Sequence, residues 1–253
     1  MRFDVISSGS KGNATLVFSG DSVILLDFGI SKKRVEKALE AYGGSFSSLS
    51  AVFLTHTHSD HASDAFNVPL SLLYAPQPRI PKVDTLLSGE HLVAPFSLTK
   101  IGPFSIRALP LSHDCPNTMA YVMEDGKESL VYLTDTGFVP EKDFPYLQGK
   151  TYYIFESNHD PKMLFESKRP DYLIRRIISD TGHLSNSDSG YYLSLLLSSA
   201  TKEVVLSHLS EECNTPEKAL STVKEVLLTQ LGYVPECLFR TASAKEETRG
   251  GER

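Results

Sequence analysis

The sequence predicts a layered α/β or α+β sandwich, and three observations carry that expectation. Apolar runs of strand length, separated by turn residues, fill the first two thirds of the chain. Helical stripes lie between them and crowd into the last third. The 253 residues show no fixed-period repeat and no Pro-rich linker, so one large core is expected.

Each element has a local reason. Phe3-Asp4-Val5-Ile6 alternates, Ala14 to Phe18 follows a Gly-rich turn, and Val23 to Asp27 follows Ser19-Gly20-Asp21, so all three read as strands. Val35, Leu39 and Tyr42 recur at helical spacing from about Ser31, and Gly43-Gly44 ends that helix. Ala51 to Thr55 is continuously apolar, the mark of a strand buried on both faces. Further strands are expected over Phe96 to Ile101, Phe104 to Leu111, Met119 to Met123, Leu130 to Thr134 and Tyr152 to Phe155. Pro170 to Ser179 carries a stripe of Leu173, Ile174, Ile177 and Ile178. A second stripe, Tyr191, Tyr192, Leu195 and Leu196, lies behind the cap-rich Ser185-Asn186-Ser187-Asp188. Val204 to Leu206 is a buried strand, and Thr215-Pro216 begins a helix that runs to Leu231. The domain is expected over 1–241, with 242–253 a loose, charged tail.

Composition excludes several classes. Hydrophobic residues at 41% and charged residues at 22% rule out a disordered or fibrous chain. No apolar run approaches the ~18 residues of a membrane span, and Met1-Arg2-Phe3-Asp4 leads into strand-like sequence instead of a signal peptide. Three cysteines without CxxC spacing make a disulfide framework improbable, so a cytoplasmic location is expected. The net charge of −6 excludes a globally basic nucleic-acid binder and leaves room for a local basic patch.

The eight histidines are more informative. Three fall in Thr55-His56-Thr57-His58-Ser59-Asp60-His61, and others follow apolar runs where strands should end. His56 and His58, two apart in an extended segment, project to one side and can grip one cation. Asp60 and His61 follow at a strand-to-helix turn, where they can face a second. Imidazoles with a carboxylate suit zinc, manganese or iron better than calcium or magnesium.

This HxHxDH pattern resembles the metallo-β-lactamase superfamily, and the resemblance runs through nearly the whole chain. Leu111-Ser112-His113, Leu133-Thr134-Asp135-Thr136-Gly137 and Leu206-Ser207-His208 follow in the family's order. The resemblance implies an αββα four-layer sandwich, the metallo-β-lactamase fold, with the site at the rim between two sheets. It implies two divalent transition-metal ions, Zn or Mn: His56, His58 and His113 on one, Asp60, His61 and His208 on the other, and Asp135 shared.

Two further motifs narrow the branch. Phe155-Glu156-Ser157-Asn158-His159-Asp160 and Gly182-His183-Leu184-Ser185-Asn186 resemble motifs of the phosphodiesterase branch typified by tRNase Z. With the opening Ser7-Ser8-Gly9-Ser10-Lys11-Gly12-Asn13-Ala14, they resemble the bacterial YycJ/WalJ family of metallo-β-lactamase-fold nucleases. That resemblance implies a DNA exonuclease acting 5′ to 3′ on duplex DNA. The chain has neither the second domain of RNase J-type enzymes nor a long Gly/Pro-rich arm for tRNA.

Several residues carry two readings. Ser8 to Asn13 can cradle phosphate through backbone N–H groups and Lys11, or simply turn the chain; Lys11 and Asn13 are its candidate substrate contacts. Asp27 can orient a ligand histidine or end a strand. His159, three residues after Glu156, is either a substrate contact or a packed histidine. Lys162, Lys168, Arg169, Arg175 and Arg176 form a solvated face or a groove for a phosphate backbone, with Arg175 and Arg176 as the candidates.

The expected mechanism uses a metal-bridged hydroxide as nucleophile. Asp60 can ligate metal and accept a proton, while His183, oriented by Glu156, can protonate the leaving oxygen. DNA is the expected partner ahead of RNA, with no membrane, and a homodimer stays open. Two rivals are a small-molecule metallohydrolase of the same fold, acting on a thioester or a cyclic or alkyl phosphodiester, and a non-enzymatic module. The intact ligand set argues against the module.

Overall fold

A computed structural model describes residues 1–76 and 91–251. The chain opens with β1 (Arg2–Ser7), β2 (Ala14–Ser19) and β3 (Ser22–Leu26), then α1 (Lys32–Glu40), β4 (Ala51–Phe53) and the short α2 (Ser59–Ala62). Next come β5 (Leu73–Pro76), β6 (Leu92–Val93), β7 (Leu98–Ile101), β8 (Phe104–Pro110), β9 (Met119–Glu124) and β10 (Ser129–Leu133). The remainder comprises α3 (Phe144–Leu147), β11 (Tyr152–Glu156), α4 (Pro161–Phe165), α5 (Asp171–Ile177), α6 (Asn186–Leu196), β12 (Glu203–Ser207), α7 (Pro216–Leu231), β13 (Leu238–Thr241) and β14 (Thr248–Gly251).

Two sheets result, ordered β14-β1-β2-β3-β4-β5-β6 and β13-β12-β11-β10-β9-β8-β7. Strand periodicity sorts their side chains into layers. On β10, Leu130 and Tyr132 join Phe3, Val5, Ile24, Phe53, Ile106 and Tyr121 in the core between the sheets. Val131 and Leu133 point the other way, onto Leu193, Leu196, Val223 and Leu227 of α6 and α7. On the first sheet, Leu16 and Leu25 face Val35, Ala38 and Leu39 of α1. The layers are therefore αββα, and each fully buried large apolar side chain contributes about 1.5–3 kcal/mol.

The caps follow the sequence signals. Ser185 accepts the Asp188 N–H and opens α6 with a capping box. Thr215 accepts the Lys218 N–H before Pro216, and Gly232, at φ 79°, ends α7 in the left-handed conformation.

The tail corrects one expectation. It is not loose from residue 242 onward, because β14 pairs antiparallel with β1, from Arg2↔Gly251 to Val5↔Thr248. It also joins the layer that the 1–241 boundary would have closed; residues 252–253 lie outside the described residues. The strand expected from Phe96 begins at Leu98, because Phe96 takes φ 63° and turns the chain. The strand expected over Ala51 to Thr55 pairs only to Phe53. Strands β5, β6, β13 and β14 and helices α3 and α4 were not expected; each has five residues or fewer, too short for a periodic signal.

Candidate metal centre

Strands of both sheets end at one rim. β10, β11 and β12 are parallel, so Asp135, Glu156 and His208 arrive at neighbouring strand ends. From the first sheet, β3 and β4 run parallel and deliver Asp27 and His56 to the facing edge. Asp27, Asp135 and His208 all take left-handed backbone, at φ 59°, 61° and 56°. Such backbone costs a non-glycine residue roughly 1–2 kcal/mol, and surrounding contacts hold it in place. Gly29 serves the same edge differently: a Cβ there would lie 1.7 Å from the Asp60 carbonyl oxygen.

The clustering matches the donor groups named above. Ligand-type atoms of His56, His58 and His113 lie within 4.8 Å of one another, as do those of Asp60, His61 and His208. Asp135 groups with His56 and His61 and also with Glu156, His183 and His208, which puts it between the two sets.

The hydrogen bonds decide which nitrogen each imidazole presents. His61 donates from Nδ1 to Asp27 Oδ2 at 2.7 Å, turning Nε2 toward Asp135 Oδ2 at 3.0 Å. His56 donates from Nδ1 to Thr55 Oγ1, 2.9 Å away, and that hydroxyl donates in turn to Asp27 Oδ1, also at 2.9 Å. His113 donates from Nδ1 to the Gly182 carbonyl at 3.2 Å. His208 donates from Nδ1 to Glu156 Oε1 at 3.2 Å. The Nε2 atoms of His56 and His208 are buried without a hydrogen-bond partner. A buried, unpaired imidazole nitrogen is costly unless something accepts its lone pair. With Nδ1 of each of these four rings committed, the Nε2 atoms are left to face the centre, and the donor set fits divalent transition-metal ions.

Electrostatics point the same way. Burial opposes a charge on His61 and His208, yet Asp27 and Asp135 hold His61 well above the ordinary value. Asp135, Asp60 and Glu156 raise His208 to about 10. Burial lowers His56, and the neighbouring His61, His113 and His58 add to it against Asp135. The carboxyls of Asp60 and Asp135 are pushed down despite burial by these histidines. The centre is a pocket of ionised carboxylates that attracts positive charge, and a metal ion would displace protons from it.

Beside it sits a second pair. His183 donates from Nδ1 to Glu156 Oε1 at 2.8 Å, while Glu156 Oε2 accepts the Thr136 and Leu184 backbone N–H groups at 3.0 and 3.3 Å. Burial would raise the Glu156 pKa, but His183 and its other partners bring it to about 2. His58, Asp60, His113, Asp135, His183 and His208 open into a cavity of about 870 Å³. The Glu166–Pro170 segment and Leu173, Arg176 and Ile177 of α5 also line it.

The tentative substrate contacts divide. Arg176 lines the cavity and donates from Nε to Asp114, which also lies 3.2 Å from His113 Nε2. Arg175 does not line it, since one residue along a helix turns the side chain by about 100°. Lys11 points outward and pairs with Glu211. Asn13 is buried and holds its own loop, donating to the Gly9 and Asp60 carbonyl oxygens at 3.1 and 3.2 Å. His159 is only 2% exposed and away from the cavity, and burial lowers its pKa to about 4. Sequence reasoning missed Asn158, whose side-chain amide donates to the His208 carbonyl at 2.8 Å, and Asp114; proximity to the histidine motifs was their only signal.

Imidazoles and carboxylates gathered at the rim of an αββα sandwich define a class of metal-dependent hydrolases. The family model described as a beta-lactamase superfamily domain matches residues 23–209, and the chain belongs to that superfamily. It is 29% identical over 238 residues to exodeoxyribonuclease YycJ of Bacillus anthracis, covering 90% of this chain and 89% of that protein. Exodeoxyribonuclease WalJ of Streptococcus pneumoniae is 30% identical over 244 residues, covering 91% and 90%. Among solved structures, the metallo-beta-lactamase fold protein YhfI from Bacillus subtilis superposes with a TM-score of 0.70 at 19% identity, covering 98% of this chain and 99% of that one. The chain is thus a hydrolase enzyme whose His/Asp clusters make it dependent on divalent metal. Among the described residues no helix is long and apolar enough to cross a membrane.

Proposed function

We propose that the chain is an exodeoxyribonuclease that degrades duplex DNA 5′ to 3′ with two divalent ions, zinc or manganese. The observation that carries this reading is the Glu156–His183 pair, 2.8 Å apart on the cavity floor beside Asp135. Cleaving a phosphodiester expels an alkoxide, which needs a proton; a thiolate does not. Similarity to proteins named exodeoxyribonuclease supports DNA as the polymer.

His56, His58 and His113 would hold one ion, Asp60, His61 and His208 the other, with Asp135 between them. When bound, such ions supply Lewis acidity toward phosphoryl oxygens and bring the pKa of water close to neutral. Asp60, ionised and at the cavity surface, accepts a proton from the attacking water. His183, with Nδ1 committed to Glu156, delivers a proton from Nε2 to the leaving oxygen. Arg176, anchored by Asp114 beside His113, holds a phosphate in the cavity.

Metal-loaded protein incubated with end-labelled single- and double-stranded DNA and RNA tests the reading. Mononucleotides released progressively from the 5′ end of duplex DNA are expected. Internal fragments would remove the exonuclease mode. Hydrolysis confined to small phosphodiesters or thioesters would establish the small-molecule alternative.

A further inference from the structure

Helix α5, which lines the cavity with Leu173, Arg176 and Ile177, also carries an exposed aromatic outside it. Tyr172 on α5 is 74% exposed, the highest value among the large hydrophobic side chains of the described residues. It stands four residues before Arg176, so the two occupy one stripe of the helix, and Arg176 lines the cavity. Phe165, 62% exposed, ends α4 on the other side of the Glu166–Pro170 segment. Lys168, within that segment, also lines the cavity. Isolated exposed aromatics are common on surfaces. A pair that flanks along the chain a cavity-lining segment bearing Lys168, with Arg176 one turn further on, has a different setting.

Size adds a constraint. About 870 Å³ is the volume of a small-molecule site and takes roughly one or two nucleotides, not a duplex. A strand whose end enters this space leaves its complement outside, and its freed bases lose their stacking partners. Aromatic side chains beside cationic grooves supply that stacking without regard to sequence.

We infer that Tyr172, with Phe165 across the Glu166–Pro170 segment, is a stacking platform for the bases of the unpaired strand entering the cavity, while Lys168 and Arg176 hold its phosphates. The inference rests on the nucleolytic reading above. Tyr172 is a binding residue for the strand end and takes no part in the chemical step.

A binding assay separates the two ideas, because it needs no cleavage. Metal-loaded, full-length protein is titrated with a phosphorothioate duplex bearing a short overhang that contains 2-aminopurine. Stacking on Tyr172 quenches the 2-aminopurine. Tyr172→Ala is expected to abolish the quench and raise Kd about 5- to 100-fold. Tyr172→Phe should keep both, since the ring stacks and the hydroxyl does not. An abasic overhang should bind the native protein as weakly as the intact overhang binds Tyr172→Ala. The proposal is overturned by equal quench and Kd in native and Tyr172→Ala proteins, by tight binding of the abasic overhang, or by an equal loss in Tyr172→Phe. Quenching and its loss in Tyr172→Ala, without any cleavage of ordinary DNA, would uphold the platform and reject the nuclease reading.

Discussion

At the scale of single residues, four imidazoles of the centre, those of His56, His61, His113 and His208, are each held by Nδ1. Asp27 is the clearest case: it accepts from His61, from the Thr55 backbone and hydroxyl, and from the Tyr132 hydroxyl at 3.0 Å. His183 shares Glu156 with His208 but has the more exposed ring of the two and faces the cavity, and this sets a prediction. His183→Ala should keep the fold and both metals yet cleave DNA about 10²–10⁴-fold more slowly. On a nitrophenyl phosphodiester, whose leaving group needs no proton, the loss should be much smaller. Steady-state rates on the two substrates, with metal content measured on the same samples, check this. An equal loss on both would assign His183 to phosphate binding, and loss of metal would make it a ligand. The motifs made His56, His58, His61, His113, Asp135 and His208 legible because their spacing is local or their strands are apolar. Asn13 and His159, which carry two readings in the sequence, are both buried; polarity in a sequence says nothing about which side of a loop is buried.

Elements decide which charges reach the substrate. The basic run before His183 reads as one patch in sequence, but α5 splits it. Arg176 shares a face with Leu173 and Ile177 on the cavity, whereas Arg175 faces solvent elsewhere. Arg176→Glu should therefore weaken DNA binding and flatten the dependence of log K on log salt by about one counterion. Arg175→Glu should change both little. Titrations at several salt concentrations discriminate, and equal effects would show that the whole run tracks the backbone. The five-residue α4 and the strands β5, β6, β13 and β14 went unseen for a related reason. A segment shorter than about one and a half helical turns, or a strand of two to four residues, has no period to read.

For the whole molecule, metal and acid are linked through the same groups. Metal analysis of the folded chain should approach two divalent ions. In metal-free protein, Glu156 sits at about 2 instead of its usual 4.5. Its contribution to stability is then complete above pH 4.5 and is lost as pH falls through 2. Denaturation of chelator-treated protein across that window should show this acid limb, and Glu156→Gln should flatten it. A Glu156→Gln protein with an unchanged limb would place the acid sensitivity in other carboxylates.

The sequence by itself determined the layered fold, the order of the long strands and helices, and the His/Asp motifs that the structure brings together at one rim. These depend on periodicity and on motifs a few residues long, which local chemistry specifies. Tertiary structure alone decided which imidazole nitrogen faces the centre, since that depends on partners such as Asp27 for His61 and Glu156 for His208. It also decided which arginine meets the cavity and that β14 returns to pair with β1. In each case the partner lies far along the chain, and only the packed core brings the two together.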